Sequence, residues 1–169
     1  PQAGLGCAGM GITAMEETLR RLGILEEEWD TVVYDVLGDV VCGGFAMPIR
    51  KGYADNVFIV TSGENMAIYA AGCIAQAVEN FKNRGYARLA GIILNRRLVE
   101  DEDRKVDELA QLPRSGDVQE AERLRATVVD ALPDSPMAKE FERLSEAVLA
   151  ASSRARDELF VPIRAGDFV

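Results

Sequence analysis

Val57-Phe58-Ile59-Val60-Thr61 runs without a charge into Ser62-Gly63-Glu64, and Ala90-Gly91-Ile92-Ile93-Leu94 runs in the same way into Asn95. Short apolar, β-branched runs bounded by turn residues mark strands buried in a parallel sheet. Between the two, Met66, Tyr69, Ala70, Cys73, Ala77, Val78 and Phe81 recur every three or four residues, which predicts a long helix with that stripe as its apolar face. Strand, helix and strand in this order form a crossover unit of an α/β fold. Ligands of such sheets gather beyond the carboxyl ends of the strands, so the residues that end each run are the first candidates for a site.

Working outward, residues 32–36 form another β-branched run, and Thr31-Val32-Val33-Tyr34-Asp35 carries a carboxylate near its end. The run reads as a further buried parallel strand, with Asp35, Ser62 and Asn95 together at the carboxyl ends. Residues 12–23 carry Met15, Leu19 and Leu22 with charges between them, a helical period that Gly23 stops. Charges dominate residues 98–108, which read as a solvated helix or loop, the acidic stretch 100–103 being a solvated face. Helical periodicity returns over residues 121–129 and 138–150, broken between them by Pro133 and Pro136. Residues 151–169 are weakly patterned and read as a C-terminal tail.

Two cysteines stand in glycine-rich loops: Cys7 within Gly4-Leu5-Gly6-Cys7-Ala8-Gly9-Met10-Gly11, and Cys42 within Asp39-Val40-Val41-Cys42-Gly43-Gly44-Phe45. Small glycines beside a thiolate let backbone N–H groups approach a bound cluster and hydrogen-bond its sulfurs. Cys7 precedes the helix over residues 12–23, and the free N–H groups and positive dipole end of a helix stabilise a thiolate or an anionic cluster. A cubane cluster takes four thiolates, and the remaining cysteine, Cys73, sits in the helical pattern. The economical completion is a symmetric dimer that contributes Cys7 and Cys42 twice, with the cluster on its two-fold axis. The blander reading makes both cysteines small buried thiols in tight turns. Asp35 and Asp39 are either ordinary loop acids or partners of magnesium and nucleotide, and Cys73 is assigned no chemistry.

The chain has 169 residues and a formal net charge of −9, the size and balance of one soluble domain. With few basic clusters it lacks the phosphate-neutralising surface of a nucleic-acid binder. No apolar run approaches membrane-spanning length, and the first residues lack a charged-then-apolar leader pattern. Three cysteines without the spacing of a secreted scaffold favour a reducing compartment. The expected location is the cytoplasm, with neither nucleic acid nor membrane as partner. The chain contains no histidine, which removes mixed histidine–cysteine zinc sites and histidine-dependent triads.

At these residues the chain resembles the iron protein of nitrogenase and its reductase relatives. The likeness runs through Gly6-Cys7-Ala8-Gly9 and then Tyr34-Asp35-Val36-Leu37-Gly38-Asp39-Val40-Val41-Cys42-Gly43-Gly44-Phe45-Ala46-Met47-Pro48-Ile49-Arg50. It continues in Ser62-Gly63-Glu64 with Met66-Ala67-Ile68-Tyr69-Ala70-Ala71, and resumes at Asn95, Pro113-Arg114, Val118-Gln119 and Ala121-Glu122. The resemblance implies a P-loop NTPase-like fold, a predominantly parallel sheet flanked by helices, with residues 1–150 as the C-terminal part of the nucleotide-binding domain. It implies an ATP-dependent reductase: a homodimer bridged by one 4Fe-4S cluster that delivers single electrons to a larger, nitrogenase-like catalytic partner. By the same resemblance Cys7 and Cys42 ligate the cluster, Asp35 lies near the magnesium ion (Mg2+), and Asp39 senses the γ-phosphate and orients the attacking water. Asn95 is implied to contact adenine, while Pro113, Arg114, Val118, Gln119 and Glu122 line the base and ribose pocket for ATP or ADP.

Three departures qualify this resemblance. Nitrogen-fixing members carry arginine three residues after the first cluster cysteine, where it docks the partner, and this chain has Met10; the implied acceptor is not the standard nitrogenase partner. No Gly-x-x-x-x-Gly-Lys-Ser/Thr occurs here, whereas the family's phosphate loop lies upstream of the first cysteine. The sequence therefore reads as the C-terminal part of such a protein, its sheet incomplete on the N-terminal side. Between Leu109-Ala110 and Gln111-Leu112-Pro113 the family has about one more strand and its approach. A noncatalytic cluster carrier or assembly factor without ATP turnover is the alternative function, and an iron-free interaction domain is a third.

Overall fold

The computed structural model describes residues 8–36, 38, 54–82 and 87–154. In chain order the elements are α1 (Ala8–Arg21), a 3-10 turn (Ile24–Glu26), β1 (Asn56–Thr61), α2 (Asn65–Lys82), β2 (Arg88–Asn95), α3 (Glu102–Lys105), β3 (Ala110–Leu112), α4 (Gly116–Arg123), α5 (Val128–Ala131) and α6 (Pro136–Ser152). The three strands lie side by side in the order β1-β2-β3, all parallel. Helix α2 packs on β1 and β2, and α6 on β2 and β3. This is the α/β architecture expected from the crossover unit.

One core joins Ile59 of β1 and Leu89 and Ile92 of β2 to Ile68, Ala71, Ile74 and Val78 of α2. Burying each of the larger aliphatic side chains stabilises the contact by about 2 kcal/mol. The helix is where the sequence places it, but its buried face differs from the expected stripe. Of that stripe Val78 is buried, but Met66 and Tyr69 are 77% and 58% exposed, and Ile68, Ala71 and Ile74, outside the stripe, join Val78 against the sheet. Because α2 is apolar nearly all round, its period reveals a helix without revealing which side the strands will cover.

Residues 31–36 correct a second expectation. They form no strand, and Val32, Val33 and Val36 are exposed. A β-branched run becomes a strand only where a neighbour takes up its backbone hydrogen bonds, and among the described residues β1 is bonded to β2 alone.

Helix α1 is followed, as expected, by Gly23 in the left-handed region at φ +76°. The stretch 121–129 is not one helix: α4 stops at Arg123, Arg125 takes φ +56°, and Thr127 caps α5 by accepting from Asp130 N. The proline break holds, with Ser135 accepting from Ala138 N and Pro136 opening α6. Ala121, Val128, Met137 and Ala138 make a second core, against which Leu112 of β3 and Val118 of α4 pack.

At the place where the resemblance has its gap, Ala110–Leu112 is one continuous strand, paired with Ile93, Leu94 and Asn95. The connection from β2 is only residues 96–109, near the shortest that a parallel crossover permits. It fits tightly. Leu109 N donates to Ile92 O at 2.7 Å, and a Cβ on Gly91 would stand 2.7 Å from Leu109 Cδ2.

Candidate functional site

β2 ends at Asn95, which is exposed and pairs with Leu112 of β3. Arg96 N extends the ladder by donating to Leu112 O at 2.9 Å. Pro113 and Arg114 therefore leave β3 beside Asn95, and both are exposed. Ser115 then caps α4, its hydroxyl oxygen accepting from Asp117 N at 3.1 Å. Helical spacing puts Val118 and Glu122 one turn apart with Gln119 next to them. Val118 packs on the second core, while Gln119 and Glu122 are exposed.

The structure thus brings Asn95, Pro113 and Arg114 to adjacent strand ends and sets α4 immediately after them. The Asn95 amide offers donors and an acceptor to a planar heterocycle edge, Arg114 offers a cation, and Glu122 offers a carboxylate that can accept from hydroxyls. Directly after the neighbouring strand β1, Ser62 is buried and its hydroxyl donates to Glu64 Oε2 at 2.9 Å.

Asp35 is not at a strand end. It is exposed in the irregular segment 31–36, because the run that carries it does not join the described sheet. Cys7, Asp39 and Cys42 lie outside the described residues. Helix α1 is described from Ala8, the residue after Cys7. A thiolate is a donor suited to an iron–sulfur cluster. Among the described residues no group of three His, Cys, Asp or Glu side chains could hold a metal ion. Cys73 is a half-buried free thiol on α2.

The residue that the sequence reading missed is Glu102. Expected on a solvated acidic face, it is 1% exposed. Its carboxylate accepts from Arg96 Nε at 2.9 Å, Arg97 N at 3.1 Å and Leu98 N at 3.2 Å. Burial pushes its pKa up, but the Arg96 guanidinium and the backbone N–H groups of residues 97–99 outweigh this together and hold it below the ordinary 4.5. The Glu102 hydrogen bond in turn raises the pKa of Arg96. Glu100, Asp101 and Asp103 are exposed as expected, and nothing in the composition of the run separates Glu102 from them.

Residues 1–161 match the family described as 4Fe-4S iron sulfur cluster binding proteins, NifH/frxC family. The nitrogenase iron protein of Methanospirillum hungatei JF-1 is 45% identical over 160 residues, which cover 88% of this chain and 56% of that protein. Nitrogenase iron protein 2 of Methanothermobacter thermautotrophicus Delta H is 44% identical over 157 residues, 88% of this chain and 58% of that protein. The chain spans little more than half the length of these relatives. Among solved structures, the cell division ATPase MinD of Pyrococcus furiosus superposes with a TM-score of 0.47 at 20% identity, over 57% of this chain and 43% of that one.

Proposed function

The chain belongs to the NifH/frxC family of 4Fe-4S iron sulfur cluster binding proteins, and from that membership we propose that the protein is the ATP-dependent electron-transfer component of a two-component reductase. The observation that carries the reading is a single match over residues 1–161, which takes in both glycine-loop cysteines and the strand-end residues Asn95, Pro113 and Arg114.

In this reading two copies form a homodimer, and Cys7 and Cys42 of each hold one 4Fe-4S cluster. When bound, the cluster supplies one-electron redox chemistry. The glycines beside Cys42 would let backbone N–H groups approach the sulfurs, and the free N–H groups of a helix after Cys7 would favour the cluster's negative charge. Asn95 reads the adenine edge of ATP or ADP. Pro113, Arg114, Val118, Gln119 and Glu122 line the base and ribose pocket. Asp35 holds magnesium, and Asp39 orients the attacking water. Cys42 lies three residues beyond Asp39, so a shift of the aspartate loop moves a cluster ligand with it and couples nucleotide state to the cluster's surroundings.

Residues 1–150 act as the C-terminal part of the nucleotide-binding domain and residues 151–169 as a tail. The acceptor is a larger catalytic reductase other than the standard nitrogenase partner, since Met10 replaces the docking arginine. The protein works in the cytoplasm; no described helix is long and apolar enough to cross a membrane.

Iron content after strictly anaerobic purification tests the reading. The expected result is about four irons per two chains, lost in Cys7→Ser and in Cys42→Ser while circular dichroism is unchanged. Iron-free wild-type protein would overturn it in favour of an interaction domain. Iron with no ATP hydrolysis by the intact protein would turn it into a cluster carrier.

A further inference from the structure

Glu102 has no part in the roles assigned above, yet it is the most deeply buried charged side chain among the described residues. It opens α3, the single helical turn in the crossover from β2 to β3, and the contacts of that turn reach the residues after β1 and β2 directly and β3 through Arg96. Toward β1, a Cβ built on Gly63 would fall 2.2 Å from Glu102 Cβ and 3.1 Å from its Cα. Lys105 Nζ donates to Gly63 O at 3.1 Å. Toward β2, the carboxylate takes the N–H groups of Arg97 and Leu98, the second and third residues after Asn95. Toward β3, Arg96, held by Glu102, donates to Gln111 Oε1 at 3.3 Å and pairs with Asp103 at 2.9 Å.

The backbone that this turn secures is not at rest. Leu98 sits at φ +63° and Asp101 at φ +56°, left-handed conformations that L side chains rarely adopt and that the surroundings must impose. A carboxylate that binds two consecutive N–H groups and a guanidinium is the group here able to impose them. A glutamine would keep one acceptor oxygen and turn an NH2 donor toward donors.

We propose that Glu102 is a positioning residue for the base-binding end of the site: it fixes the loop that carries Asn95 and seats it against Gly63, so that the loops after β1, β2 and β3 respond to nucleotide as one body. The proposal rests on the reading of Asn95 as the base contact.

Amide hydrogen exchange and titration with MgADP and MgGDP test it on the intact protein, comparing wild type, Glu102→Gln and the exposed neighbour Glu100→Gln. In Glu102→Gln, exchange at residues 97–98 and 63–65 should rise together, with α6 unaffected. Its MgADP affinity should fall about tenfold and its preference over MgGDP narrow, as expected for loss of a hydrogen bond to a charged group; Glu100→Gln should do neither. Faster exchange at 97–98 with none at 63–65 would overturn the tie. Loosened loops with unchanged affinity and preference would make Glu102 merely structural. Wild-type protein that does not bind MgADP would overturn the nucleotide reading itself and leave the exchange arm to decide the tie. If Glu102→Gln does not fold, Lys105→Met removes the bond to Gly63 and keeps the carboxylate; exchange at 63–65 must then rise, and an unchanged value would overturn the tie.

Discussion

Each end of the sheet buries a charge, and the two charges do opposite work. At the amino end Arg88 opens β2, its Nε donating to Asn56 Oδ1 at 2.9 Å and its Nη2 to the Ala151 and Arg154 carbonyls at 2.8 and 2.9 Å. A cation there adds a partner to carbonyls at the end of α6 and just beyond it, and meets the negative end of the helix dipole. At the carboxyl end the buried charge is an anion, and its partners are the N–H groups of a loop with two left-handed residues. Arg88 fastens regular elements to one another, while Glu102 enforces a backbone that would otherwise relax, beside exposed polar residues. The first arrangement is what stability asks for; the second is what a site asks for.

The comparison breaks most directly at Gly63. Gly63→Val drives a side chain into Glu102 and should cost about 3 kcal/mol of unfolding free energy, read by urea denaturation. A neutral effect would mean that the two carboxyl-end loops do not touch. Arg88→Met should cost about 2 kcal/mol by removing the hydrogen bonds to Asn56 and to the carbonyls of Ala151 and Arg154, and nucleotide titration should be unchanged, since only the amino end is disturbed.

Acid separates the two ends more finely. The folded pKa of Glu102 lies below 4.5, so its contribution to stability is present above that value and is lost as pH falls through the folded pKa. Glu102→Gln should therefore flatten the acid limb of the stability curve, whereas Arg88→Met should keep the wild-type slope. The smallest effect belongs to a pair at neither end: Glu120 and Arg123 are bonded on the exposed face of α4, and Glu120→Gln should stay within about 0.5 kcal/mol of wild type.

What was legible beforehand follows from the range of the forces involved. β1, β2, α2, the stop at Gly23 and the break at Pro133 and Pro136 are written in near neighbours along the chain, and they stand where the sequence puts them. Asn95 at a strand end follows from the same reading. The rest depends on what comes alongside. The valines at 32 and 33 have strand chemistry but no described strand beside them, and α2 is too evenly apolar to announce its buried side. Arg125 ends a helical pattern by a left-handed turn that no glycine signals. Glu102 looks like its acidic neighbours until the crossover folds it inward against Gly63. The part of the site formed by sequence-adjacent residues was readable, and the part formed by a fold-back was not.

The close fit of Gly91 against Leu109 has a consequence for how this stretch of chain can change. A Cβ at position 91 would stand 2.7 Å from Leu109 Cδ2, so a larger residue there is accommodated only together with a smaller one at 109, and the two positions can vary only as a pair.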